Sequence, residues 1–206
     1  MRRPNLLFYF VAALAGGPVR AQLAPPVAGP GRAGVYRSAA HYHRRQLAPA
    51  GNTLRYAAKR DAFVVSTRRG SSTTKNSIAR DSTWGYVDGK NNFYRVSGPD
   101  DYRVEQPDTI TVYSRNTTAS GTSQMVGGGA AVGGGVFMAT RYYFSRGIAG
   151  RIFPLTEKNL VAVFAAGSPA FAAALTARAG KQELSAFDAA ANAFYIVRLF
   201  RSTQGK

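Results

Sequence analysis

From Gly34 to Leu155 the chain reads as short runs rich in aromatic and β-branched residues, separated by turn residues. Beyond Thr156 the apolar positions fall three or four apart. The first pattern predicts strands and the second helices, and strands followed by helices indicate an α+β domain. The centre of the strand region is residues 83–96, TWGYVDGKNNFYRV, where two such runs flank Asp88-Gly89. That dipeptide accepts the positive φ of a tight turn, so a β-hairpin is expected. A two- or four-residue loop would set Trp84, Tyr86 and Phe93 on one face, and a three-residue loop would put Tyr94 in place of Phe93. The cluster holds the only tryptophan in the chain, either as core or as an aromatic binding face.

Residues 62–67 predict a strand with Phe63 and Val65 on one face and 76–80 as its candidate neighbour. Residues 102–106 and 109–114 form a second expected pair about Pro107-Asp108. Aligning Val104 with Ile110 and Val112 on one face asks for a three-residue loop there. Residues 141–145 and 151–155 read as a third pair, its turn permitted by Gly147 and Gly150. Ahead of these, residues 34–36 open the ordered chain and Ser38 caps a short helix reaching Gln46. After them, Thr156 caps a helix bearing Leu160, Val161 and Phe164. Ser168-Pro169 starts another, with Phe171 and Leu175 one turn apart and Gly180 as its stop. Ser185, with Asp188 three further on, opens a last helix through Phe200, although 194–197 would serve equally as strand. The expected architecture is antiparallel hairpins forming a sheet or partial barrel, followed by two or three helices.

Residues 1–21 have the make-up of a cleavable secretory leader: Arg2 and Arg3, an apolar run over 6–15, and a small-residue cleavage pattern ending at Ala21. The run is shorter than the about 20 residues that span a bilayer. Residues 22–33, rich in Pro and Gly, read as a flexible mature N-terminus, leaving 34–206 as one domain. Inside it, 116–140 reads as an uncharged, Gly-rich apolar insertion. Six of the fifteen residues 125–139 are glycine, and Gly127, Ala131 and Gly135 recur every four positions. On a helix that stripe would support self-association or packing in a membrane. Fifteen residues give only about 22 Å of helix, and each helical glycine costs roughly 1 kcal/mol against alanine. A loop is therefore the alternative expectation in water.

Cysteine is absent, which excludes disulfides, thiolate nucleophiles and cysteine metal sites. Formal net charge is +17, from 27 Lys and Arg against 10 Asp and Glu. The excess is concentrated between Arg32 and Arg80, which hold eleven basic residues and one acid, Asp61. Such a field attracts phospholipid, lipopolysaccharide, acidic glycans or nucleic acid. Arg44, Arg45, Arg68, Arg69 and Lys75 are the candidate contacts. His41 and His43, the only histidines, stand two apart, and on a helix they point to different faces, the wrong spacing for a metal pair. No metal or other cofactor is expected. Ser72-Thr73-Thr74-Lys75 matches in form the S-x-x-K of penicillin-recognising serine enzymes, but it is expected in a polar loop between the two strands, without S-D-N or K-T-G companions. No G-x-S-x-G elbow occurs and the acids are scattered, so no catalytic residue is assigned.

Taken together, Gly34-Val35-Tyr36, Trp84-Gly85-Tyr86 with Asp88-Gly89-Lys90, Tyr142-Tyr143-Phe144-Ser145, and Pro154-Leu155-Thr156 with Asn159-Leu160 carry a resemblance. The chain resembles small secreted proteins of Bacteroidetes-type bacteria that carry domains of unknown function. The resemblance implies an exported or cell-envelope protein and supplies no catalytic residues. The expected function is that of an exported, non-catalytic, envelope-associated or binding protein. It would be periplasmic, outer-envelope or extracellular, with its basic face on anionic envelope components and membrane association through 125–139 as a further option. One alternative is an extracellular nucleic-acid-binding protein with Trp84 and Tyr86 exposed beside Arg68 and Arg69. The other is a secreted hydrolase, in which His41 or His43 would meet a serine and a carboxylate.

Overall fold

A computed structural model describes residues 32–121, 135–178, 180 and 182–204. The expected leader, almost all of the N-terminal tail, and Gly127 and Ala131 lie outside the described residues. The elements run β1 (Ala33–Tyr36), α1 (Ala39–His43), β2 (Ala50–Gly51), β3 (Thr53–Ala57), a 3-10 turn (Ala58–Arg60), β4 (Ala62–Arg69) and β5 (Ser72–Ala79). They continue with β6 (Gly85–Val87), β7 (Phe93–Ser97), β8 (Asp100–Gln106), β9 (Ile110–Gly121), β10 (Gly135–Arg146) and β11 (Phe153–Pro154). The chain then passes through α2 (Glu157–Phe164), α3 (Pro169–Ala177), β12 (Phe187–Asp188), β13 (Ala193–Phe194) and α4 (Tyr195–Gln204).

Eight strands make one antiparallel sheet in the order β11-β10-β9-β8-β7-β6-β1-β2, and β3-β4-β5 make a second. The α+β class with antiparallel sheets stands, but the sheets stay open rather than closing as a barrel. β2 and β3 form a corner between the sheets, β2 pairing with β1 and β3 with β4. Gly51 makes the corner possible, because a Cβ there would lie 2.6 Å from the Ser66 carbonyl oxygen and from Val65. Asn52 pins it, its N–H donating to the Ser66 carbonyl at 2.8 Å and its side-chain oxygen accepting from the Arg68 N–H at 2.8 Å.

Side-chain alternation gives the large sheet a front and a back. At one end of the front, Val35, Tyr86 and Val96 pack against Phe63, Val65 and Ile78 of the second sheet. At the other end, Ile110, Val112 and Phe144 pack beneath the helices through Leu160, Phe164, Phe171, Leu175 and Ile196. Between these two covered ends runs a row across four strands: Tyr94 opposite Arg103, Arg103 opposite Ser114, and Ser114 opposite Tyr142. The back is closed by α1 through Tyr42 and by Ile148 and Ile152, over Tyr36, Val87, Phe93 and Tyr113.

Several local expectations change. The 83–96 hairpin turns through Gly89, Lys90 and Asn91, closed by Asp88 N–H to Asn92 carbonyl at 3.0 Å. Asn91, at φ 64°, takes the left-handed residue rather than Gly89. The Asp88 carboxylate holds the turn by accepting from the backbone N–H of Lys90 and of Asn92. Val104 does not share a face with Ile110 and Val112. It sits opposite Tyr113 on the back, and an irregularity between Val104 and Gln106 shifts the register. The last helix begins at Tyr195 instead of Ser185, because the Asp188 carboxylate accepts from the N–H groups of Ala190 and Ala191 and turns the chain between β12 and β13. Gly135 opens β10, and 116–121 with 135–140 extend the β9–β10 ladder, so these flanks of the Gly-rich segment are neither loop nor helix. They continue a register already fixed where Tyr113 faces Tyr143 and Val112 faces Phe144.

Candidate functional site

Sequence reasoning placed a basic surface on Arg44, Arg45, Arg68, Arg69 and Lys75, and all five are exposed. Arg44 and Arg45 end α1, which packs on the back of the large sheet, whereas the other three belong to the second sheet on its front. Alternation along β4 and β5 sends Arg68 and Lys75 to the same side of the second sheet as Arg55, away from Phe63 and Ile78, and sends Arg69 to the other. Lys59 and Arg60 extend the charge along the 3-10 turn. Residues 51–80 thus carry seven Lys and Arg against Asp61 alone. Among the described residues only Arg80 of the seven is in an ion pair, with Asp101 at 2.6 Å. Asp61 is occupied by the Tyr56 hydroxyl, which donates to it at 2.5 Å. The S-x-x-K match is not in a loop: Ser72 to Lys75 pair with Arg69 to Ser66 and form the first half of β5, exposed and extended, and not the start of a buried helix.

The three aromatic residues expected on one face are divided. Trp84 and Phe93 join the back cluster with Tyr36 and Tyr42, their rings stacked with centroids 6.0 Å apart. Tyr86 joins the front cluster, where it stacks on Tyr94 at 4.8 Å and lies 4.7 Å from Phe63. The three-residue loop puts Tyr94 and not Phe93 on the side of Tyr86, and Trp84, which precedes β6, does not follow the alternation of that strand. Trp84 and Tyr86 are half-buried, each packed among other aromatic rings on its own face of the sheet.

A residue that sequence reasoning did not single out, Arg95, lies over the Trp84 ring at 4.5 Å. Its guanidinium donates to the Ile148 carbonyl at 2.7 Å and makes no ion pair among the described residues. Burial pulls its pKa below the usual arginine value, against the opposing pull of Tyr113. On α1, the Ser38 hydroxyl accepts from the His41 N–H at 3.3 Å as a helix cap, and His41 Nδ1 is buried without a partner. No serine or carboxylate is hydrogen-bonded to either imidazole among the described residues. The same residues contain no group of three or more His, Asp or Glu able to hold a metal, and no helix long and apolar enough to cross a membrane.

The uncovered row on the front is the floor of an open groove of about 670 Å³. Three of the ten acids line it, and each meets an arginine: Asp100 with Arg115 at 2.6 Å, Asp101 with Arg80 at 2.6 Å, and Glu105 with Arg103 at 3.6 Å. Asp101 also accepts from the Tyr86 hydroxyl at 3.1 Å, and burial first, then this carboxylate, raises the Tyr86 phenol above its ordinary value. The register shift in β8 leaves Glu105 without a residue opposite it and aims its carboxylate at the Ser114 hydroxyl, which donates to it. Tyr142 and Phe194 supply an aromatic edge, their centroids 5.8 Å apart. In sequence these groups lie as far apart as Tyr94 and Phe194, and no spacing joins them. No family model matches the chain, and neither a curated protein nor a solved structure matches it.

Proposed function

We propose that this is an exported, non-catalytic binding protein of the cell envelope, held by its second sheet to anionic surface components. The observation that carries the reading is the excess of positive charge in residues 51–80, seven Lys and Arg against Asp61 alone. Six exposed cations there, Arg55, Lys59, Arg60, Arg68, Arg69 and Lys75, are outside any ion pair among the described residues. Elsewhere the scarce acids are used to neutralise arginines, as in the pairs of Asp188 with Arg198 and Asp108 with Arg201. Exposed charge left unpaired costs little in water and attracts any polyanion within about a Debye length of 10 Å.

Anionic vesicles provide the test. The purified protein is expected to bind phosphatidylglycerol-containing vesicles at low salt, to release them at high salt, and to ignore purely zwitterionic vesicles. Each basic residue near such a surface contributes roughly 1 kcal/mol. Replacing Arg68, Arg69 and Lys75 together by Gln should therefore weaken binding by roughly 100-fold. No binding to anionic vesicles or lipopolysaccharide at low salt, or full binding by the triple variant, would sink the reading.

A further inference from the structure

The front groove lies between the second sheet and the helical layer, and it is chemically unlike the rest of this basic molecule. We infer that it is a binding site for a neutral saccharide chain. Its volume falls within the about 300–1,000 Å³ of ordinary ligand sites, and its open form suits a stretch of polymer better than an enclosed small metabolite.

The floor restricts what can bind. Tyr94, Arg103, Ser114 and Tyr142 stand on β7, β8, β9 and β10, all interior strands whose backbone groups are engaged by neighbours on both sides along this row. Along this row an extended peptide therefore finds no free sheet edge to lengthen, which is how strand-like ligands gain most of their affinity. Recognition must come from side chains.

Charge narrows the class further. Asp100, Asp101 and Glu105 are already matched by Arg115, Arg80 and Arg103. An ionic ligand would find each charge already balanced by its neighbour and would gain little net attraction there. A neutral polyol can still bind, because each carboxylate keeps lone pairs and each guanidinium keeps N–H groups beyond those its partner uses. Neighbouring hydroxyls on a sugar ring can donate to the acid and accept from the arginine of one pair. The fixed, planar geometry of such groups makes that recognition directional.

Aromatic surface completes the site. Tyr94 is backed by Tyr86, their rings nearly parallel at 14°, and Tyr142 is braced by Phe194. Rings held this way present flat apolar surface with little side-chain entropy left to lose, which suits the C–H face of a pyranose. Asn116 and Thr140, at the exposed end of the same groove, add neutral hydrogen-bonding groups.

The test is a titration of the purified protein with neutral hexasaccharides, namely chitohexaose, cellohexaose and maltohexaose, followed by calorimetry and by amide chemical shifts. At least one is expected to bind with Kd on the order of 1 mM or tighter, insensitive to salt, with shifts confined to the groove. Tyr142→Ala should weaken binding at least about tenfold and Tyr142→Phe should restore it. In case Tyr142→Ala fails to fold, Thr140→Trp places bulk at an exposed position in the groove and should block binding with no loss of melting temperature. The proposal is overturned if none of the three sugars shifts groove resonances, or if Thr140→Trp binds as well as the parent. It is equally overturned if only charged oligomers bind. The triple variant at Arg68, Arg69 and Lys75 should keep its sugar affinity, so failure on vesicles and failure on sugars are read independently.

Discussion

Asp101 accepts from a guanidinium and a phenol at once, and its partner Arg80 retains only 10% of its side-chain exposure. Arg80 also lies over the rings of Tyr56 and Phe63, so its charge cannot swing out to water without uncovering the front cluster. Asp101→Asn should cost roughly 3 kcal/mol, since it strands a buried cation. Asp108→Asn, which loosens the exposed pair with Arg201, should cost under about 1 kcal/mol. Urea unfolding of both variants checks the contrast, and equal midpoint shifts would refute it. None of this was legible in the sequence. Asp100-Asp101 reads as a pair of turn acids, and what makes Asp101 matter is a partner on the far side of the central hairpin. Long-range pairing leaves no local mark, whereas short-range chemistry does: the Ser38 and Thr156 caps were readable because donor and acceptor are three residues apart.

At the scale of elements, legibility follows how far a pattern depends on its own neighbours. The β4–β5 hairpin was readable in part: Phe63 and Val65 marked one face of β4 and 76–80 its neighbour, but the polar residues 72–75, expected as loop, pair in register and lengthen β5. The central hairpin was readable as a hairpin, but its faces turned on one residue of loop length, and Asp88 decided that length by accepting from the turn. The start of α4 was misplaced for the same reason, an aspartate drawing nearby N–H groups into a turn. The β9–β10 ladder runs in continuous register from Ile110 opposite Arg146 to Gly121 opposite Gly135. Glycine offers no side chain to bury, so the residues beyond that last pair should add little to the energy of the ladder. Replacing 127–135 with a Ser-Gly linker of equal length should leave the melting temperature nearly unchanged. A large drop in the monomeric variant would show that the segment carries structural weight.

Across the whole molecule, the class was legible from strands preceding helices, and the groove was not, because it exists only where two covering layers leave a gap. The aromatic content, by contrast, has a global effect that composition hints at and burial makes specific. Tyr36, Tyr42, Tyr86, Tyr94, Tyr102 and Tyr113 all have phenols raised above the usual value of 10.0, in each case chiefly by burial. The folded chain keeps these protons at a pH where the unfolded chain gives them up. Stability should therefore be level with respect to these groups below about pH 10 and fall progressively above it. Phenolate absorbance and circular dichroism should change together on alkaline titration, because the buried rings ionise as the fold opens. Ionisation of all the tyrosines with the dichroism unchanged would contradict the burial.

One strand arrives in its sheet out of turn. β6 to β11 can pair in the order they are made, but β1 reaches β6 only after the whole of the second sheet has been laid down between them. At about 5–20 residues per second, a nascent chain holds Val35 and its neighbours without their mate for roughly 3–10 s. During that interval β1 waits unpaired with β6, and once β6 is made its edge has no means of distinguishing its own N-terminal strand from that of another copy. Refolding at high concentration should accordingly yield dimers that have exchanged β1, separable by size and converted to monomer by dilution and refolding, while synthesis one chain at a time avoids them.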